Sequence, residues 1–146
     1  MHDLDVWGGN GEFFPLIQPR YFVPCTTESN YAIGYARWYD RGGLFGDRAA
    51  TRERGCIEPP KGHPIRRAME VYEESLKHSD PEKQREVFRE VLEIAAENVW
   101  TINISTPPPC LVVVKNGFRN VPRHAVYSWD FQSPGNTGIE TYYFEK

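Results

Sequence analysis

The stretch "PIRRAMEVYEESLKHSDPEKQREVFREVLEIAAENVW", residues 64–100, limits what the chain can become more than any other part of it. Pro64 stands where a first helical residue would, because the N–H it lacks is one that the first turn leaves unpaired anyway. Ile65, Ala68, Met69, Val71, Tyr72 and Leu76 recur at helical spacing, so the pattern predicts an amphipathic helix running to about His78. A second start signal follows at once: Asp80 can cap, Pro81 suits the first turn, and Glu82 faces the positive end of the helix dipole. Val87, Phe88, Val91, Leu92, Ala95 and Val99 form the apolar face, with Arg85, Glu86, Arg89, Glu90 and Glu93 on the wet side. The joint between the two helices is very short, so they are expected to pack as an antiparallel hairpin.

After the hairpin the period changes. "WTINIS" and "CLVVVKN" are short β-branched runs separated by "TPPP", which forbids one continuous strand and predicts a stiff crossing segment. "NGFRNVP" reads as a turn and a short edge strand, and the tail from Ala125 offers two more strands around a Ser-Pro-Gly-Asn turn. At the other end His2 to Trp7 alternates polar and apolar, the pattern of a half-buried strand, followed by a glycine turn. A strand placed so early suggests the closing portion of a larger sheet. The proline- and aromatic-rich stretch after it, "NGEFFPLIQPRYFVP", reads as an ordered loop, and residues 47–63, charged and proline-rich, as a surface excursion. The fold class is α/β.

With 146 residues a core is possible, and a net charge of −3 provides no basic field for nucleic acid. No apolar run approaches the ~20 residues of a membrane helix. Cys25, Cys56 and Cys110 stand far apart without a CxxC pair, so buried thiols are a simpler reading than zinc, and one disulfide with one free thiol stays open. His2, His63, His78 and His124 are equally scattered.

From Thr27 to Tyr39 a helix is expected, with Tyr31, Tyr35, Trp38 and Tyr39 on one aromatic face that either packs in the core or lines a ligand cleft. "RGGLFG" ends it and lacks the lysine of a phosphate loop. There is no GxSxG, no HExxH, and no cysteine with a local histidine signature. A carboxylate pair drawn from Glu12, Glu28 and Glu58, as a small carbohydrate-active hydrolase would use, is the competing reading, and a protein-interaction module is a third. Trp7 beside its Gly-Gly-Asn turn and the tyrosine and tryptophan face point instead to recognition without bond-making, with no cofactor needed.

Residues 3–9 ("DLDVWGG"), 19–24 ("PRYFVP"), Trp38-Tyr39 before Gly42-Gly43, Glu58-Pro59-Pro60, Glu97-Asn98-Val99-Trp100, and Asn116 before Asn120-Val121-Pro122 occur in this order. Together they resemble the C-terminal part of the family 5 extracellular solute-binding proteins of ABC transporters, the oligopeptide- and dipeptide-binding class. The resemblance implies a portion of a two-lobed, type II periplasmic-binding-protein-like fold whose lobes close on a ligand and deliver it to a membrane permease. Residues 1–104 would be a partial C-terminal lobe with the helical hairpin and short mixed strands. Residues 105–146 would cross the hinge and return to the N-terminal lobe.

On the same resemblance, Trp7 would stack on the ligand, Asn10 would anchor it, and Tyr31, Tyr35 and Trp38 would add aromatic contacts. Peptide-binding members resemble Trp-x-x-Asp at that turn, where this chain has Trp7-Gly8-Gly9-Asn10. Asparagine cannot neutralise an ammonium but can bond to hydroxyl or amide, so the substitution favours oligosaccharides or other neutral solutes over free-amino-terminus peptides. The implied location is the periplasm or the outer face of the membrane. Surfaces that would meet the other lobe are expected to be apolar and to favour self-association, with the 106–146 tail exchanged between copies.

Overall fold

The structure, a computed structural model, describes residues 15–105, 108–128 and 131–145. They divide into two compact units, one of residues 15–103 and one from residue 104 onward.

The first unit is helical: α1 (Ile33–Asp40), α2 (Ala49–Arg52), α3 (Pro64–Leu76) and α4 (Pro81–Asn98), with 3-10 turns at Pro19–Tyr21 and Gly43–Phe45. The expected hairpin is present. His63 caps α3, its Nδ1 accepting from the Ile65 N–H at 3.1 Å, and Asp80 caps α4 by accepting from the Glu82 N–H at 3.0 Å. Cap substitutions of this kind alter stability by about 1 kcal/mol. Ile65, Ala68, Met69 and Val71 of α3 meet Phe88 and Val91 of α4, and an Arg67–Glu90 pair with bonds of 2.7 and 2.9 Å spans the two helices outside that seam.

The buried stripes differ from the sequence pattern at their ends. Leu76, Leu92 and Val99 are exposed, while Ser75 is fully buried with its hydroxyl donating to the Tyr72 carbonyl at 2.6 Å. That bond satisfies the serine inside the core. Val99 takes a left-handed conformation (φ 51°) that ends α4 and turns its side chain out of the stripe.

α1 is shorter than the aromatic spacing implies. Ala32 sits at φ 51°, so the helix starts at Ile33 and Tyr31 lies outside it. The segment 47–63 is largely exposed, as its composition suggests, yet it contains the single turn α2, whose Ala50 is buried, and the buried Pro59. Val23, Cys25, Trp38 and Ala50 complete the core beneath the hairpin.

In the second unit β1 (Phe118–Arg119) pairs antiparallel with β2 (Tyr143–Phe144), Phe118 opposite Phe144. Phe118 also meets Tyr142 edge-on at 5.5 Å, and Lys115 lies 5.6 Å over the Phe144 ring. The runs 101–105 and 110–115, expected as strands, are strand-like in composition only: among the described residues neither is paired in a ladder. A strand exists through a ladder of a neighbour's N–H and C=O groups, and among the described residues no such ladder includes these runs. The early strand expected at His2 to Trp7 lies outside the described residues.

Candidate functional site

Two aromatic contacts organise the face that the sequence singles out. Tyr31 stacks on Trp100, with ring centroids 5.7 Å apart and planes 24° from parallel. Tyr35 meets His63 edge-on at 5.5 Å. Trp100 is the second residue after the end of α4, so the close of the hairpin supplies the surface on which Tyr31 rests. His63 is held by its bond to the start of α3, and its ring is therefore fixed where Tyr35 finds it. Both tyrosines are half-buried.

Trp38 belongs to a different environment. It is 1% exposed, lies in the core, and carries the Arg66 guanidinium 5.2 Å over its ring. A Cβ at position 43 would fall inside the indole, so Gly43 is what lets the chain pass over it. In this conformation Trp38 serves packing, one of the two roles its spacing allows. Tyr39 likewise turns inward and donates to Glu73 of α3.

Burial governs the electrostatics. It drives the Tyr31 phenol well above the ordinary range, and does the same for Tyr39, helped by the bond to Glu73. The Cys25 thiol is pushed up to about 11 by burial, which makes it a poor nucleophile near neutrality. Cys56 is half-buried and Cys110 exposed, and all three thiols are free. The Tyr31 hydroxyl, the Ser29 hydroxyl and the Trp38 indole N–H are buried without a hydrogen-bond partner among the described residues. Such groups cost stability unless something else satisfies them.

Of the predicted site residues, the structure describes Tyr31, Tyr35 and Trp38. Trp7 and Asn10 lie outside the described residues, as does Glu12. The other two loop acids are in surface ion pairs, Glu28 with Arg20 at 2.9 Å and Glu58 with Arg66 at 2.8 Å. The spacing that predicts the aromatic face does not include Trp100 or His63, although a tryptophan two residues past a strong helix is a readable signal. Among the described residues no group of three or more His, Cys, Asp or Glu could hold a metal ion, and no helix is long and apolar enough to cross a membrane. A shallow depression of about 500 Å³ at the start of α4 is lined by Asp80, Glu82, Lys83, Arg85, Glu86 and Arg89. Four of its charges are paired, Lys83 with Glu86 at 2.8 Å and Arg85 with Glu82 at 2.6 Å.

No family model matches the chain, and the comparisons with curated proteins and with solved structures found no match.

Proposed function

We propose that the chain is the C-terminal portion of an ABC-transporter solute-binding protein, capturing an oligopeptide or, more in keeping with Asn10, an oligosaccharide or other neutral solute. The observation that supports this reading is the run Leu111, Val112, Val113 and Val114, exposed by 91, 73, 88 and 40% respectively. Successive residues of an extended chain point to opposite faces, so a run apolar at every position suits a strand covered on both sides, as in the parallel sheet of an α/β lobe. Here that cover would come from a first lobe. In this reading the chain is a partial C-terminal lobe followed by a hinge crossing and a return segment. It carries no catalytic step and needs no cofactor.

Tyr31 and Tyr35 are the described side chains proposed to meet ligand; Trp7 as a stacking partner and Asn10 as a polar anchor, both outside the described residues, belong to the same proposal. An aromatic face stacks on a sugar ring or peptide plane. In the full-length protein the partners would be the solute and a membrane permease, at the periplasmic or outer face of the membrane. Taken alone, the chain is proposed to self-associate through its uncovered apolar run.

The test is calorimetric titration with oligopeptides and with cello- and xylo-oligosaccharides, for the chain alone and joined to whatever coding sequence precedes it. The joined protein is expected to bind one class in the micromolar range or tighter, about tenfold more weakly after Tyr31→Ala or Tyr35→Ala. Sub-micromolar binding by the chain alone, or a preceding sequence that encodes no first lobe, would overturn the reading.

A further inference from the structure

Four of the five arginines of the helical unit that have no acid partner among the described residues lie between residues 37 and 54; the fifth, Arg89, is on α4. Arg20, Arg66, Arg67 and Arg85 each pair with a glutamate. Arg37, Arg48, Arg52 and Arg54 are exposed and have no acid partner among the described residues. Three contacts collect them. Arg41 at the end of α1 bonds Glu53 at 2.7 Å, which brings the neighbours Arg52 and Arg54 beside that helix. Gly55 lies directly against the Arg37 guanidinium. The Asp47 N–H donates to the Gly42 carbonyl at 3.1 Å, so Arg48 returns to the base of the loop that Arg41 leaves.

At the tip of that closed loop stands Phe45, 70% exposed. The loop is fixed in this form: Gly42 and Gly46 take φ of 78° and 87°, Gly43 rests on the Trp38 indole, and Leu44 packs against the core. Of two adjacent apolar side chains, one is therefore used inside and the other is held out in water.

We propose that this surface docks on a bilayer containing anionic phospholipid, Phe45 entering the boundary between headgroups and acyl chains and the four arginines meeting phosphates. Guanidinium matches phosphate geometry, and aromatic rings favour the interfacial depth. Peripheral binding grows with both the apolar area inserted and the attraction to anionic lipid. The charge balance selects a membrane over nucleic acid. Residues 37–54 hold five arginines and three acids, Asp40, Asp47 and Glu53, on a chain of net charge −3. That is a weak field for a polynucleotide backbone. A fluid bilayer, by contrast, rearranges its headgroups around interspersed charges and accepts a lone ring at any lateral point. The inference does not rest on the transport reading, and either can fail without the other.

The experiment is co-sedimentation of the whole chain with phosphatidylcholine vesicles, with and without about 30% phosphatidylglycerol, at about 0.05 and 0.5 M salt. Binding is expected about tenfold or more tighter to the anionic vesicles and to be lost at high salt. Phe45→Ser should weaken it several-fold and Phe45→Trp preserve it, while Arg48→Glu with Arg52→Glu and Arg54→Glu should abolish it. Lys77→Glu, an exposed change on α3's far end, should leave it intact. All these side chains are exposed, and unchanged circular dichroism checks that the helices persist in each variant. Equal binding to both vesicle types, binding to neither, or anionic binding indifferent to the Phe45 and arginine variants would overturn the proposal. So would arginine-dependent capture of an oligonucleotide or an acidic peptide without capture of vesicles.

Discussion

Both units of the molecule are rich in β-branched residues, but only one hides them. In the helical unit Val23, Ile65, Val71 and Val91 are at most 4% exposed, because each lies on a face that a neighbouring element covers. From residue 104 onward, Ser128 is the only buried residue among those described, and Leu111 to Val114 stand in solvent. The difference is one of partners rather than composition. A helix closes its own backbone hydrogen bonds and needs cover along one stripe, whereas a strand needs neighbours for its backbone as well as for both faces.

The largest effect should appear in amide hydrogen exchange. Amides in the middle of α3 and α4 should be protected by about a thousandfold or more, and those of residues 110–114 by less than about tenfold. Comparable protection in the two places would erase the contrast. Stability should divide the same way in chemical denaturation. Met69, fully buried between α3 and α4, should cost about 2 to 5 kcal/mol on replacement by alanine. Val113→Ala should fall within about 0.5 kcal/mol of no change, since the side chain is 88% exposed. A large loss at Val113 would mean that something covers it in solution.

A smaller effect comes from Cys25. Its thiol titrates near 11 in the folded chain, against 9.0 for an ordinary cysteine, because burial penalises the thiolate. Between those values the unfolded chain sheds a proton that the folded chain keeps, so folding stability is complete below pH 9 and declines as pH rises toward 11. The cost attributable to this group is about 2 to 3 kcal/mol. Thermal melts between pH 8 and 10.5 should show the decline, and Cys25→Ala should reduce its slope. An unchanged slope would remove Cys25 as its source. Tyr72, pushed by burial to about 12 from an ordinary 10.0, acts in the same direction at still higher pH.

What could be read from the sequence follows the same division. The hairpin was legible because Pro64, Asp80, Pro81 and the apolar spacing are local signals, each acting within a few residues. α2 was not, since a single turn between charged residues has no period to detect; its one cue is Asp47, whose carboxylate accepts from the Ala49 N–H at 2.8 Å. The valine run has the composition of a strand, but pairing depends on residues distant in sequence or on other chains. The aromatic face was legible in part. Spacing identified Tyr31 and Tyr35, while the left-handed Ala32 that separates Tyr31 from α1, and the approach of Trp100 from across the unit, are tertiary facts.

The passage of the chain over Trp38 at Gly43 also has a bearing on descent. With the indole against its α-carbon, position 43 is closed to any side chain while a tryptophan occupies position 38, so the two cannot drift independently. Any lineage that carries a larger residue at position 43 must have shrunk or moved the tryptophan, or lifted the loop bearing Phe45 away from it.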